Sequence, residues 1–244
     1  MQNKRILVKL SGEVLAGGSS STVDKETIVR VCDDLVAAHR EQYEIGVVIG
    51  GGNICRGTSG GSIGINRVTA DYMGMLATVI NALALQSFLE SAGVEARVLS
   101  AISMPTVCEP YARRRALHHI ENGRIVIFAA GSGNPYFSTD TAAALRASEI
   151  CCSLLLKGTK VAGVYEEDPT CSPNARFFSS LTYKDVLARD LCIMDPSAIT
   201  LARENNIPIV VFSILESGNL LRTLHGEGAF TTIHGGGRDV CGTC

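Results

Sequence analysis

The sequence contains no tryptophan and only 5% aromatic residues over 244 positions, so it lacks the stacking platforms that hold single-stranded nucleic acids. Neither charge is in excess: 22 Lys and Arg face 24 Asp and Glu, a net charge of −2. That is too little to attract nucleic acid or an acidic membrane in bulk, and neither is expected as a partner. Nine cysteines are an odd number without regular spacing, which argues against a disulfide framework and for reduced thiols in a cytoplasmic protein. Cys241 and Cys244 form a CxxC pair with no second pair or histidine cluster beside it, and read as part of a frayed tail. The first apolar run is interrupted by Lys9 and is too short for a secretory leader.

Several catalytic signatures are also missing. No Gly-Lys-Ser/Thr follows a glycine loop, and neither Gly50-x-Gly52-x-x-Cys55 nor Gly131-x-Gly133-x-x-Tyr136 completes the dinucleotide fingerprint. The five histidines form no HExxH pattern and have no serine partner in a nucleophile elbow. P-loop kinases, Rossmann dehydrogenases, zinc proteases and serine hydrolases are disfavoured together.

With 46% hydrophobic and 19% charged residues, there is ample material for a buried core. One domain over 1–234 is expected, followed by a flexible tail at 235–244. Short β-type runs alternate with helical segments, which is α/β patterning. VVIG, RIVIFAA and PIVVF are nearly continuous in apolar residues, as in a mostly parallel sheet covered by helices on both faces. Strands are expected at Ile6 to Leu10, Ile45 to Ile49, Ser153 to Leu156 and Ile209 to Phe212. Helices are expected at Lys25 to Arg40, Val68 to Ser91, Ala112 to Asn122, Thr139 to Glu149, Thr182 to Ala188, Ser197 to Asn205 and Gly218 to His225. The helix from Val68 is apolar on most of its circumference, more than one sheet face requires, and this suggests a subunit interface. Gly17–Thr22 and Gly57–Gly64 read as mobile loops.

Three glycine turns end strands: Lys9-Leu10-Ser11-Gly12-Glu13, Gly50-Gly51-Gly52-Asn53, and Gly131-Ser132-Gly133-Asn134-Pro135. Turns of this kind point bare N–H groups at anions, and open α/β sheets place their ligands at this edge. Taken singly each is as well explained as an ordinary tight turn; three together favour an anionic ligand. Lys9 and Arg56 stand beside two of them, and phosphoryl transfer needs such cations with no side-chain nucleophile. Lys157 reads as a solvated lysine at a strand end. Asp140 either caps the helix beginning near Thr139 or orients a phosphate-site lysine or hydrated Mg²⁺. Asp71 either accepts from ribose hydroxyls or favours the positive end of the long helix. The pair His118-His119 reads as a solvated helix face.

The motifs KLSGE at Lys9–Glu13, GVVIGGGNICRG at Gly46–Gly57, DYMGMLATVINALAL at Asp71–Leu85, GSGNPYFSTDTAAALRA at Gly131–Ala147, LKGTKVAGVYEEDP at Leu156–Pro169 and MDPSAITLAR at Met194–Arg203 occur in this order. Together they resemble the bacterial uridylate (UMP) kinases of the amino-acid-kinase family. The resemblance implies a three-layer αβα sandwich and transfer of the γ-phosphoryl of ATP to UMP with Mg²⁺, in a cytoplasmic homo-oligomer, usually a hexamer. UTP is implied as a feedback inhibitor. Lys9, Leu10, Ser11 and Gly12 would cradle ATP phosphates with Gly52 and Arg56, and Thr159, Tyr165 and Asp168 would hold the nucleoside end. Gly51 would meet the UMP phosphate, Asp71 its ribose, and Ser132, Gly133, Asn134, Pro135, Tyr136, Phe137, Ser138 and Thr139 the uracil side. Lys9, Arg56, Asp140 and Asp195 would organise the transfer. Ala162 stands where the family has an acidic residue, so ATP affinity or metal handling is open to change. GGSSSTVD at Gly17–Asp24 departs from the segment linked to GTP activation, so that property is not carried over. The remaining alternatives are a kinase of the same fold with another small acceptor, and a non-catalytic nucleotide sensor.

Overall fold

The computed structural model describes residues 4–17, 22–55, 64–172, 174–191 and 193–236. Most of the two glycine- and serine-rich loops, Arg56 and the CxxC tail lie outside the described residues.

Eleven strands and eight helices alternate along the described chain. They are β1 (Arg5–Leu10), α1 (Gly12–Leu15), α2 (Lys25–Arg40), β2 (Glu44–Ile49), α3 (Arg67–Ser91), β3 (Ala96–Ser100), β4 (Glu109–Pro110), α4 (Arg113–Glu121), β5 (Ile125–Ala129), α5 (Thr139–Glu149), β6 (Leu154–Thr159), β7 (Val164–Tyr165), β8 (Phe177–Phe178), β9 (Ser180–Thr182), α6 (Tyr183–Ala188), α7 (Pro196–Glu204), β10 (Ile209–Ser213), α8 (Asn219–Leu224) and β11 (Phe230–His234). Nine strands form one sheet in the order β4-β3-β5-β2-β1-β6-β10-β11-β9, while β7 and β8 make a separate antiparallel pair. Every neighbour in the large sheet is parallel except β10 with β11.

Alternation along β1 decides what each face receives. Ile6, Val8 and Leu10 enter the core beneath α2, α3 and α8, whereas Leu7 enters the core beneath α4, α5, α6 and α7. Leu156 and Leu155 of β6 divide in the same way. Helices on both faces make this a three-layer αβα sandwich.

Local chemistry starts the helices where the sandwich needs them. Asp24 caps α2 by accepting the Thr27 N–H at 2.9 Å, and Asn66 caps α3 by accepting the Thr69 N–H at 2.9 Å. Thr182 and Asp185 form a reciprocal capping box on α6. Helix α3 is long and apolar enough by composition to cross a membrane. Here one side of it packs into the α2 and α8 core through Met75, Val79, Ala82, Leu85 and Leu89. Tyr72, Met73, Leu76 and Ile80 are exposed on the other side.

Two expectations are corrected. Strand β6 runs on past Leu156 to Thr159, so Lys157 is a strand residue. His119 is buried and lies 3.2 Å from a Glu109 carboxylate oxygen, and only its neighbour His118 is exposed.

Candidate active site

The C-terminal ends of β1, β2, β5 and β6 share one edge of the sheet, and the glycine turns meet there because they follow three of those strands. Contact between the first two turns is close enough to require glycine. A Cβ on Gly12 would lie 2.4 Å from Asn53 Oδ1 and 2.7 Å from the Gly50 carbonyl oxygen. One on Gly51 would lie 2.7 Å from the Gly74 carbonyl oxygen of α3. The Gly50 N–H donates to the Leu10 carbonyl at 2.9 Å, continuing the strand pairing into the turns.

Helix α3 supplies the buried polar support. Asn81, fully buried, donates to the Gly50 carbonyl at 2.7 Å and to Asn53 Oδ1 at 2.8 Å, and its own Oδ1 accepts from Asn53 Nδ2 at 3.1 Å. One turn earlier, Thr78 Oγ1 donates to the Met75 carbonyl and accepts the Ala130 N–H at 2.7 Å. Two of the three glycine turns are therefore fastened to one helix. Neither residue follows from the glycine-turn pattern; the available signal is a pair of polar residues spaced by three on the most apolar helix.

The electrostatic centre lies on the opposite face. Lys9 and Lys157 are register neighbours on β1 and β6, and alternation puts both on the α5 side with Leu7 and Leu155. Asp140 stands between them, Oδ1 2.7 Å from Lys9 Nζ and Oδ2 2.9 Å from Lys157 Nζ. Lys157 also donates to the Ile193 carbonyl. Thus Lys157 is no solvated strand-end lysine; it is as much part of this cluster as Lys9. Burial pushes the Asp140 carboxyl upward, but the two ammonium groups outweigh this and hold it below its ordinary value. For Lys157 burial is the dominant influence and lowers it beneath 10.5, against the pull of Asp140. The two cations share Asp140 directly, and Asp195 adds a second negative charge that acts on Lys157.

Asp140 is free for this because Ser138 does the capping, its hydroxyl accepting the N–H groups of Asp140 at 3.0 Å and Thr141 at 3.4 Å. Ser138 in turn donates to Asp195, which also accepts from Thr141 Oγ1 at 3.3 Å. Asp195 thereby ties the start of α7 to the start of α5, one residue removed from the lysine pair.

Beside this cluster opens a cleft of about 160 Å³ lined by Gly51, Asp71, Thr78, Ser132, Phe137 and Thr139, among others. Its rim is the third turn, in which Ala130, Gly131, Gly133 and Tyr136 have φ of 60°, 57°, 81° and 71°. For Ala130 and Tyr136 that conformation costs about 1–3 kcal/mol each. Asp71 accepts the Tyr136 N–H at 2.8 Å and pairs with Arg67. Its position in the second turn of α3 makes it a side-chain acceptor towards the cleft. Gly133, Asn134 and Pro135 continue the rim to the exposed Tyr136 and Phe137.

Thr159 ends β6, and Tyr165 and Asp168 lie beyond it. Thr159 Oγ1 donates to the Val161 carbonyl at 2.7 Å, Tyr165 packs edge-on against Phe177, and exposed Asp168 accepts the N–H and hydroxyl of Thr170. Those two bonds hold the Asp168 carboxyl below its ordinary value. Half-buried Ala162 sits between β6 and β7.

A model of the amino acid kinase family matches residues 4–213, and the chain belongs to that family. Within it, the chain is 55% identical to the uridylate kinase of Zymomonas mobilis subsp. mobilis over 229 residues, 94% of this chain and 95% of that one. The uridylate kinase of Hyphomonas neptunium is 54% identical over 233 residues, 96% and 93% of the two chains. Among solved structures, the UMP kinase from Bacillus anthracis superposes with a TM-score of 0.92 at 38% identity, covering 96% of this chain and 97% of that one. The UMP kinase from Ureaplasma parvum does so at 0.91 and 36%, covering 96% and 100%.

Replacing buried Asn81 by Ala strips donors from the Gly50 carbonyl and the Asn53 amide. We expect about 1–3 kcal/mol of lost stability, read as a lower midpoint in chemical denaturation.

Proposed function

We infer that the protein transfers the γ-phosphoryl group of ATP to UMP, giving UDP and ADP, a step in pyrimidine nucleotide synthesis. The observation that carries this reading is the buried Lys9–Asp140–Lys157 cluster at the edge where the glycine turns converge, in a chain more than half identical to uridylate kinases.

Phosphoryl transfer asks the protein to position two phosphates and to offset charge on the oxygens of the transferred group. Lys9 and Lys157 supply that charge, and Asp140 holds their ammonium groups side by side. The bond from the γ-phosphorus to the β–γ bridging oxygen breaks as a bond to a UMP phosphate oxygen forms. That oxygen is already anionic, so no general base is needed. Leu10, Ser11, Gly12 and Gly52 meet the ATP phosphates through backbone N–H groups, and Arg56 is assigned to the same phosphates as a further cation. Thr159, Tyr165 and Asp168 take the nucleoside end. Gly51 and the rim from Ser132 to Thr139 take UMP, with Asp71 on its ribose. Asp195 acts through Ser138 as a positioning residue.

Among the described residues no group of three or more His, Cys, Asp and Glu gathers to hold a metal. Asp140 Oδ1 is buried with Lys9 Nζ 2.7 Å away as its ion-pair partner, and the oxygen keeps capacity for a second donor. With Mg²⁺ carried on the nucleotide phosphates, Asp140 would be the carboxylate available to orient its bound water. Bound magnesium would neutralise phosphate charge. The exposed apolar side of α3 supports assembly with further copies of the chain; the hexamer, the cytoplasmic location and inhibition by UTP competing in the acceptor cleft rest on the family resemblance alone. Residues 1–234 act as one kinase domain.

ADP release with Mg²⁺ and ATP should appear with UMP and stay at background with CMP, dTMP, carbamate, aspartate or glutamate; UTP binding without turnover of any acceptor would leave a sensor instead. Arg56→Ala should lower kcat by at least about tenfold, the loss of a charge used mainly in the transition state. Because burial lowers the Lys157 ammonium beneath 10.5, raising pH strips this charge earlier than from an ordinary lysine. kcat/KM should therefore fall on the alkaline side below pH 10.5. In Lys157→Arg, which stays charged, that limb should move up by at least about one pH unit.

A further inference from the structure

We propose that Arg67 is a positioning residue that sets the affinity for the acceptor nucleotide through Asp71 and Tyr136; this rests on the uridylate kinase reading above. Arg67 opens α3, four residues before Asp71, and its Nε lies 2.8 and 2.9 Å from the two carboxylate oxygens of Asp71. The side chain of Asp71 is largely buried while that of Arg67 is about half exposed. The pair thus fixes the carboxylate from its solvent side.

That carboxylate has two tasks. Its Oδ2 accepts the Tyr136 N–H at 2.8 Å, the bond that secures a non-glycine residue at φ 71°. A carboxylate offers about four acceptor positions; Oδ2 spends two, on Arg67 and on Tyr136, while Oδ1 spends one on Arg67. One position on Oδ1 remains for a ribose hydroxyl. Arg67 also sits 5.7 Å from the centre of the Tyr136 ring, close enough for a cation–π attraction. It therefore touches both ends of the contact that shapes the cleft rim. Tyr136 is 67% exposed, so core packing does not hold this residue in its strained conformation.

Without Arg67, Asp71 regains rotamer freedom, and binding UMP must order both the carboxylate and the rim. The cost falls on the acceptor side alone, because the lysine cluster contacts neither residue. Full-length Arg67→Ala is expected to raise the Kd for UMP, measured calorimetrically without ATP, and the KM for UMP by about tenfold. The KM for ATP and kcat at saturating UMP should stay within about twofold. Arg67→Lys, which keeps a cation in reach of Asp71, should recover most of the loss.

A double-mutant cycle separates this from general damage. Glycine adopts φ 71° without strain, so adding Arg67→Ala to Tyr136→Gly should weaken UMP binding by less than about threefold. An equal, full loss in that background would overturn the proposal, as would a fall in kcat with the KM for UMP unchanged, or no rescue by lysine. Wild-type protein that binds no UMP would overturn the underlying reading and this proposal with it. Wild-type binding left unchanged by Arg67→Ala would overturn the proposal alone.

Discussion

Two lysines on neighbouring parallel strands cannot be buried side by side without an anion between them, and Asp140 is that anion. Its carboxylate reaches Lys9 at 2.7 Å and Lys157 at 2.9 Å. Removing one partner from a buried charge cluster leaves an uncompensated charge in a low-dielectric site, which costs several kcal/mol. Much of the surrounding architecture follows from keeping Asp140 in place. Ser138 takes over the capping of α5, so the aspartate side chain can turn towards the sheet. Asp195 fixes Ser138 in turn, joining α7 to α5. The strand register that aligns Lys9 with Lys157 is a property of the whole sheet, so the site is as rigid as the core beneath it.

Helix α3 is the second constraint. Its buried polar residues reach the Gly50 turn through Asn81 and the Gly131 turn through Thr78, and its first turns carry Arg67 and Asp71 to the cleft rim. Substrate-side geometry is therefore referred to one rigid element, while the lysine cluster is referred to the sheet and α5. The exposed apolar side of the same helix, from Tyr72 to Ile80, faces away from these bonds. An assembly contact there would act on the element that shapes the acceptor cleft.

The α/β class and a mostly parallel sheet covered on both faces were legible from alternation and helix periodicity, while the three-layer sandwich came from the motif resemblance; α2 and α5 occupy the residues that their patterns indicate. The strands β3, β4, β7, β8, β9 and β11 are less visible, being two to five residues long or, like Phe230–His234, rich in polar residues. That difference in visibility carried over to the site. The glycine turns and Lys9 stand out because they adjoin apolar strands. Lys157 did not, because the apolar run stops at Leu156 although the strand continues; only pairing with β1 shows the lysine to be inward-facing. The alternatives for Asp140, cap or lysine partner, needed the Ser138 hydrogen bonds to separate them. For Asn81 the polar interruption in α3 was visible, but its partner Gly50 lies 31 residues away, and sequence spacing does not measure that distance.

The most direct measurement is an NMR titration of the lysine side-chain amines in the wild type and in Asp140→Asn. If Asp140 holds the Lys157 ammonium charged against burial, its neutralisation should move the Lys157 titration to lower pH by at least about one unit. An unchanged Lys157 titration would contradict the account, because that cation would then be stabilised by something other than the carboxylate beside it.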